Sequence, residues 1–314
     1  MQRYIGDILD GCGRDTRNDD FTAISKEDAL RYARYAQGRL QSVITKKYPH
    51  TFIATYTQNI AADTSLYSVA DNMHLGSRIV RVRYNPTADS VSWRVLRYGN
   101  YYRKYSPSPG TPSCWTRENG QVRIEPPPNA TIGQLEIAYE RTLDVLDLRR
   151  GQISATPSGA ILDLTTGSGP TTADEALFVA KQFVSVCDYY GTVMLRNGVI
   201  SSYNAANDEL TLAANVSTYL VTGYTLADLA NGYLTVGKWT STHSALHDDC
   251  ERYITEYVNR RLYKRDSRND TGLIENELQD IEKDIVDSYK NADHTIKPIP
   301  LVDEDILVYP IWES

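Results

Sequence analysis

Helical periodicity is confined to the two ends of this chain, and this pattern limits the possible folds most. Ser25-Lys-Glu-Asp28 has a capping side chain followed by carboxylates, as the first turn of a helix requires. Two further apolar stripes lie near the other end, between Leu246 and Leu262 and between Ile274 and Tyr289. The connection between these two helices, residues 264–270, is short and polar, so they should be antiparallel neighbours. The N-terminal helix that begins at Ser25 has its own apolar stripe, which comprises Ala29, Ala33, Ala36, Leu40 and Val43. We predict one helical bundle formed by residues 1–50 and 243–292.

Residues 51–150 have the pattern of a β domain. Between Arg78 and Tyr84, apolar residues alternate with Arg81 and Arg83, which predicts a strand with one buried face. Val91–Tyr98 is a second such run. Asn119-Gly120 is the strongest short signal for a hairpin.

Residues 151–242 differ in composition, since they are rich in small and polar residues and contain only 10 charged ones (3 basic and 7 acidic). Short alternating runs predict strands here. They are Ala160–Leu164, Phe183–Asp188, Thr192–Leu195, Glu209–Leu212, Ser217–Val221 and Tyr233–Val236. We therefore expect a second, smaller all-β domain inserted into the first. The predicted class is α+β: a discontinuous helical bundle with one N-terminal and two C-terminal helices, a β-sheet domain, the inserted all-β domain and an extended C-terminal arm at 293–314.

Charge and aromatic content favour protein contacts over nucleic-acid binding. The net charge of −7 divides into +5 for residues 1–150, −4 for 151–242 and −8 for 243–314. None of these blocks is basic enough for a nucleic-acid-binding domain, whereas opposite charges at the two ends suit head-to-tail stacking with other proteins. The chain has 23 Tyr against 4 Phe and 4 Trp. Tyr is enriched at interfaces, and it also favours strands, so both interpretations stay open.

The cysteines and the apolar runs limit the compartment. The four cysteines are far apart and form no Cys-x-x-Cys, which argues against a zinc site or a disulfide framework and fits a reducing cytosol. The first residues have no long apolar run, and no stretch approaches the length of a membrane span. We expect no contact with a membrane.

Enzyme signatures are weak. Gly167-Ser-Gly169 lacks the lysine of a phosphate-binding loop, and Gly11-Cys-Gly13 lacks the third glycine of a dinucleotide site, so both are predicted turns. His243 and His247, four apart on a predicted helix, could ligate a metal, but Ser244 stands where zinc peptidases carry a glutamate. The simpler interpretation is capping and solvation at a helix start. We expect no catalytic residues, no metal and no cofactor, and hence no enzyme.

A basic, aromatic segment is the first candidate for partner binding. From Arg78 to Lys104 there are seven basic residues and one acidic residue, Asp89, interleaved with tyrosines and a tryptophan. A solvated sheet face, a protein contact and a nucleic-acid contact are all compatible with this pattern. We expect protein contact through Arg81, Arg83, Arg94 and Arg97, with an acidic surface such as the 243–290 helices of a neighbouring subunit.

The C-terminal arm is the second candidate. From Lys297 three prolines exclude a helix, yet the arm is too apolar to stay in water. Its candidate anchors are Leu301, Val302, Ile306, Leu307, Tyr309, Ile311 and Trp312. The arm either packs on its own bundle or docks on another subunit, as an added strand or with Trp312 in a pocket.

Two segments resemble the head-to-tail adaptor (connector) proteins of short-tailed phages. They are Trp115-Thr-Arg-Glu-Asn-Gly-Gln-Val-Arg-Ile-Glu-Pro-Pro-Pro-Asn129 and Gln134-Leu-Glu-Ile-Ala-Tyr-Glu-Arg141, the latter followed by Leu143. In that family an aromatic strand enters a hairpin, and later strands end in Pro-x-Pro and Tyr-x-Arg. The resemblance covers residues 25–143 and 243–292, and the 151–242 domain is outside it.

The resemblance implies a structural virion protein at the neck of the particle, made in the host cytoplasm. It would form a homo-oligomeric ring of about twelve subunits below the portal, as closed heterologous interfaces allow. The bundle would contact the portal and the β part the tail proteins, with at most transient contact with DNA in the channel. From the residues alone, the alternative is a tail-associated receptor- or glycan-binding module, suggested by the polar, aromatic 151–242 domain.

Overall fold

The computed structural model forms two compact units, Pro49–Leu143 and the combination of Met1–Tyr48 with Asp144–Ser314. It describes residues 3–18, 20–48, 51–70, 73, 79–87, 92–99, 108–129, 132–164, 170–246, 248–265 and 271–295. Helices and several sheets are both present, so the predicted α+β class is confirmed.

Among the described residues, five α-helices lie in the unit that combines Met1–Tyr48 with Asp144–Ser314. They are α1 (Ile5–Asp15), α2 (Lys26–Lys47), α3 (Thr172–Glu175), α4 (Cys250–Arg265) and α5 (Thr271–Thr295). Helix α2 begins where the sequence predicts, because Ser25 Oγ accepts a hydrogen bond from the Asp28 N–H at 3.1 Å. Its predicted stripe is confirmed at four positions, since Ala29, Ala33, Ala36 and Leu40 are fully buried.

Helices α2, α4 and α5 pack against one another as predicted. Asp249 and Ser288 line one groove between α4 and α5, and Arg260 and Gln279 line another, so these two helices run in opposite directions. Their facing side chains are apolar, with Ile254 and other core residues less than 10% exposed. Burial of this kind stabilises a bundle by roughly 1.5–3 kcal/mol per large side chain.

Helix α1 was not predicted from the sequence. The prediction of a turn at Gly11-Cys-Gly13 is wrong, because these residues belong to α1. Glycine disfavours helices by about 1 kcal/mol, but Ile8, Leu9 and Cys12 are buried along one face, and this packing outweighs the local preference. The Ile5 N–H also donates to the carbonyl oxygen of Thr242 at 3.0 Å, which satisfies one donor of the first turn.

The described residues of the unit Pro49–Leu143 form two four-stranded sheets. The strands are β1 (Ile53–Asn59), β2 (Leu66–Tyr67), β3 (Ile79–Asn85), β4 (Arg94–Val95), β5 (Arg97–Tyr98), β6 (Cys114–Glu118), β7 (Gln121–Glu125) and β8 (Gln134–Glu140). One sheet has the order β1-β8-β3-β4 and the other β2-β7-β6-β5. Side chains from both sheets, such as Val82 and Ile124, form one buried core.

The hairpin predicted at Asn119-Gly120 is confirmed. Strands β6 and β7 pair in antiparallel register on either side of it. Asn119 and Gly120 have φ of 48° and 79°. A two-residue type I′ hairpin turn needs positive φ at both of its central residues.

The prediction of one continuous strand over Val91–Tyr98 is wrong. Strand β4 pairs with β3, whereas β5 pairs with β6 in the other sheet. Leu96, between the two short strands, is only 3% exposed. Burying this side chain in the shared core takes the chain from one sheet to the other.

The other unit carries a six-stranded sheet beside its helices. The described strands of this unit are β9 (Val145–Leu146), β10 (Gly151–Gln152), β11 (Ile161–Asp163), β12 (Phe183–Cys187), β13 (Val193–Asn204), β14 (Glu209–Leu212), β15 (Tyr233–Val236) and β16 (Thr240–Ser241). The sheet has the order β10-β15-β12-β13-β14-β11, and β9 pairs with β16 separately. The separation of residues 151–242 as an inserted domain stays a prediction.

One predicted strand of this region is wrong. Ser217–Val221 is not a strand, because Val216–Tyr219 forms a 3₁₀ turn in which the Thr218 N–H donates to Asn215. Only Val216 of this turn is buried, so alternation over a few residues did not distinguish strand from turn.

Candidate interaction sites

Arg83 and Arg81 on β3 share one carboxylate of their own sheet. Arg83 donates to both oxygens of Glu136 on β8, from Nε at 2.8 Å and from Nη2 at 2.7 Å. Arg81 Nη2 lies 3.6 Å from the same carboxylate, and the Arg83 guanidinium lies 5.2 Å from the Trp93 ring centroid. The positive charge of this pair is therefore partly compensated within the sheet, and its role in partner binding stays a prediction.

The other two predicted arginines are more open. Arg94 and Arg97 lie on the short strands β4 and β5 and are exposed. Their neighbours Val95 and Tyr98 are 57% and 70% exposed, and the Tyr98 ring packs edge-on against Trp115 at a centroid distance of 4.9 Å. Cationic and apolar side chains thus alternate on an exposed strip, a composition that is common at protein interfaces.

The second predicted site is the C-terminal arm. Leu301, Val302, Ile306, Leu307, Tyr309, Ile311 and Trp312 lie outside the described residues. Their role as anchors stays a prediction.

The two-histidine hypothesis rested on a helix that begins later. Helix α4 starts at Cys250, so the premise that His243 lies on a helix is wrong; His247 is outside the described residues. His243 is buried, and its Nδ1 lies 2.9 Å from Thr242 Oγ1. Burial lowers the pKa of His243, and the charge of Arg149 lowers it further. Within the part of the chain that the structure describes, no group of three or more potential ligands is placed to hold a metal.

A buried ion-pair network is the main polar feature that the sequence did not predict. Arg150 donates to Asp147 at 2.7 Å and to Asp174 at 3.1 Å, and it also pairs with Glu27 on α2. Asp147 in addition accepts from Arg34 at 3.0 Å. Burial of Arg150 lowers the pKa of its guanidinium, but the hydrogen bonds to Glu27 and Asp147 outweigh this effect and leave the pKa raised. The network joins segments that are far apart in sequence.

Arg149, beside it, is enclosed by tyrosines. Its guanidinium carbon lies 4.2, 5.0 and 3.9 Å from the ring centroids of Tyr4, Tyr189 and Tyr233. Tyr189 and its neighbour Tyr190 are nevertheless 61% and 59% exposed, at the turn between β12 and β13. Arg149 thus contacts one side of the Tyr189 ring, and the Tyr190 ring packs edge-on against Tyr189.

The four cysteines form no disulfide bond in the structure. All four thiols are free, and Cys12, Cys187 and Cys250 are buried. Burial raises the pKa of Cys12 to about 12 and that of Cys187 to about 11, so their reactive thiolate forms are disfavoured at neutral pH. No described helix has the length and hydropathy of a membrane span.

The exposed arginine and tyrosine side chains are of the types that are enriched at protein interfaces. A family model described as SU10 adaptor protein matches residues 3–165, just over half of the 314 residues. The chain therefore belongs to the SU10 adaptor protein family of phage structural proteins, which confirms the adaptor resemblance. A comparison with curated proteins gave no match. The matched region includes α1, α2 and the whole unit Pro49–Leu143.

Proposed function

We propose that this chain is a subunit of the head-to-tail connector ring below the portal of a tailed phage, where it joins head to tail and continues the DNA channel. The observation that carries the proposal is the match to the adaptor family over residues 3–165. The partners are the portal protein, the tail proteins and further copies of the chain, about twelve in a closed ring. DNA passing through the channel makes at most transient contact.

Two features of the molecule support a role in assembly. The strip of Arg94, Val95, Arg97 and Tyr98 offers charge and apolar area together at an exposed edge. An acidic groove lies where the start of α4 packs against α5, and it is lined by Asp248, Asp249, Arg252, Ile281, Asp284, Ile285 and Ser288. Opposite charges on separate surfaces of one chain suit a heterologous ring interface, in which each copy presents one surface to the next.

Cryo-electron microscopy of the intact particle tests the proposal. We expect a ring of this chain on the head–tail axis, directly below the portal. A single copy per particle, or a position away from that axis, would contradict the proposal.

A glycan- or receptor-binding role is the second candidate. The exposed pair Tyr189 and Tyr190, with ring centroids 5.4 Å apart, favours it, because rigid aromatic rings offer stacking surfaces at low entropic cost. A glycan array with the purified protein tests this role. Binding that Tyr189→Ala and Tyr190→Ala abolish would support it, and an empty array would favour the ring.

A further inference from the structure

Strand β1 is an unusually open sheet edge. It has seven residues and pairs only with β8 in the part of the chain that the structure describes. Its register with β8 runs from Ile53 to Asn59 without a bulge. The other edge strands that are described, β2, β4, β5, β10 and β11, have two or three residues each. Short edges are a common protection against unwanted strand pairing, and β1 lacks it.

Two hydrogen bonds at the ends of β1 determine which of its backbone groups face away from β8. The Arg141 N–H donates to the Phe52 carbonyl at 2.9 Å, and the Ile60 N–H donates to the Gly133 carbonyl at 3.1 Å. In an antiparallel pair, residues that bond the partner alternate with residues that do not. The even-numbered residues therefore bond to β8. The N–H and C=O groups of the odd-numbered residues, Ile53, Thr55, Thr57 and Asn59, point away from the sheet.

The sequence of β1 does not protect this edge either. Ile53-Ala-Thr-Tyr-Thr-Gln-Asn59 contains no charged residue and no proline, the two types that usually guard an edge. The short edge strands β4 and β5, by contrast, each carry an arginine. Thr55, Thr57 and Asn59 are exposed, while Ala54 and Tyr56 pack on the core, so the strand is held firmly from one side.

We propose that β1 accepts an added strand, and that this strand is Ile306–Tyr309 from the C-terminal arm of a neighbouring copy. This inference rests on the proposed ring, which supplies the neighbour. Helix α5 ends at Thr295, and the ten residues that lie between it and Ile306 can span up to about 35 Å when extended. An arm of that length can reach a second molecule.

The arm also has a sequence suited to this pairing. Ile306-Leu-Val-Tyr309 contains two β-branched residues and one aromatic residue, and Pro310 ends the pairing because proline lacks an N–H. The three acidic residues Asp303-Glu-Asp305 come directly before this segment, and they limit the apolar strand to residues 306–309. Main-chain hydrogen bonds to Thr55 and Thr57 give affinity, and the alternating side chains give register. In a closed ring every copy gives one arm and receives one, so no edge of this kind remains open.

A proline substitution tests the edge. Thr55→Pro removes an N–H that points away from β8, so the sheet itself keeps its hydrogen bonds. The matched control, Thr55→Val, keeps the N–H and the strand preference. We expect thermal unfolding of both purified variants to stay near wild type, while incorporation of Thr55→Pro into particles falls by about tenfold, as the loss of one paired donor implies. Equal incorporation of the two variants would overturn the proposal.

Crosslinking keeps the proposal testable if Thr55→Pro does not fold. Particles that carry Thr57→Cys with Leu307→Cys are treated with a short bismaleimide, and Thr57→Cys alone is the control. We expect a ladder of crosslinked multimers only in the double variant. A crosslinked monomer would mean that the arm returns to its own chain, and an absence of crosslinks would mean that β1 has another role; either result overturns the inference. Images of the same particles distinguish the strand exchange from the proposed ring. If a ring is seen without crosslinks, only the strand exchange is refuted. If the ring is absent, the proposed function is refuted.

Discussion

Arg150 and Asp147 form a buried ion pair at 2.7 Å, with side chains that are 6% and 1% exposed. Asp147 also accepts from the Val236 N–H at 2.8 Å and from Arg34. One carboxylate therefore holds α2, the segment that follows β9 and the end of β15 together. Removing it takes one carboxylate partner from both Arg34 and Arg150, and leaves Arg150 with only Glu27 and Asp174.

Loss of the Asp147 carboxylate should be costly. We expect Asp147→Ala to lower the free energy of unfolding by about 3–5 kcal/mol, the usual cost of breaking a buried pair from one side. Urea denaturation measures the change. The matched control is Glu277→Ala, which removes the exposed pair with Arg252 at 2.9 Å and should cost less than about 1 kcal/mol. Equal losses in the two variants would show that the network is not important for stability.

Acid should destabilise the unit that contains His243. Burial lowers the pKa of His243 in the folded chain, so the unfolded chain binds a proton at higher pH than the folded chain does. The folded state is therefore favoured above the unfolded histidine pKa of about 6.5, and this contribution is lost as the pH falls below it. The nearby charges are Arg149, which lowers the pKa, and Asp188, Glu251 and Asp7, which raise it.

The measurement is the free energy of unfolding in urea at several pH values from neutral to mildly acidic. His243→Gln cannot titrate, so we expect its stability to vary less with pH across this range than that of the wild type. Parallel curves for the two proteins would assign the acid sensitivity to other groups.

The two arginine pairs should behave differently. Arg94→Glu with Arg97→Glu reverses exposed charges, so we expect normal unfolding but slower assembly in low salt, with recovery as salt screens the repulsion. Arg81→Glu with Arg83→Glu places new carboxylates beside Glu136, so we expect a less stable sheet as well. Thermal unfolding and particle incorporation, measured for both double variants, separate the effects. Unchanged incorporation of the Arg94 and Arg97 variant would show that these arginines are merely solvated.

Deletion of the C-terminal arm should separate folding from assembly. We expect a chain without residues 297–314 to keep nearly unchanged thermal unfolding and to lose the ability to join heads. A second variant keeps the full chain and replaces only Leu301 and Val302 by serine, so it tests the first apolar group of the arm without deleting the arm. A melting temperature lower by many degrees would show that the arm belongs to its own core and is not a docking arm.

Local chemistry predicted much of the fold. The cap at Ser25, the hairpin at Asn119-Gly120 and the stripes of α4 and α5 depend on neighbours within a few residues, so the sequence alone identifies them. The strip at Arg94 and Arg97 was also predicted, although the change of sheet at Leu96 was not, because only the two-sheet core explains it.

The features that sequence patterns missed depend on residues distant in the chain. The Arg150 network needs Glu27, Asp147 and Asp174, which no spacing rule connects. Helix α1 was missed because its three glycines oppose a helix locally and only packing with later segments offsets them. The open edge of β1 was not predicted either, since the order of strands decides which one lies outermost.

The attachment of α1 to later segments affects how the chain folds as it is synthesised. The Ile5 N–H bonds to the Thr242 carbonyl, and α1 packs against α4, so α1 needs partners that are synthesised some 240 residues later. At the usual rate of translation this delay is roughly 10–50 s. The unit Pro49–Leu143 is complete long before then and can fold as a unit first. The helical bundle can therefore form only after α4 and α5 have been synthesised, and the apolar face of α1 lacks its α4 partner until then.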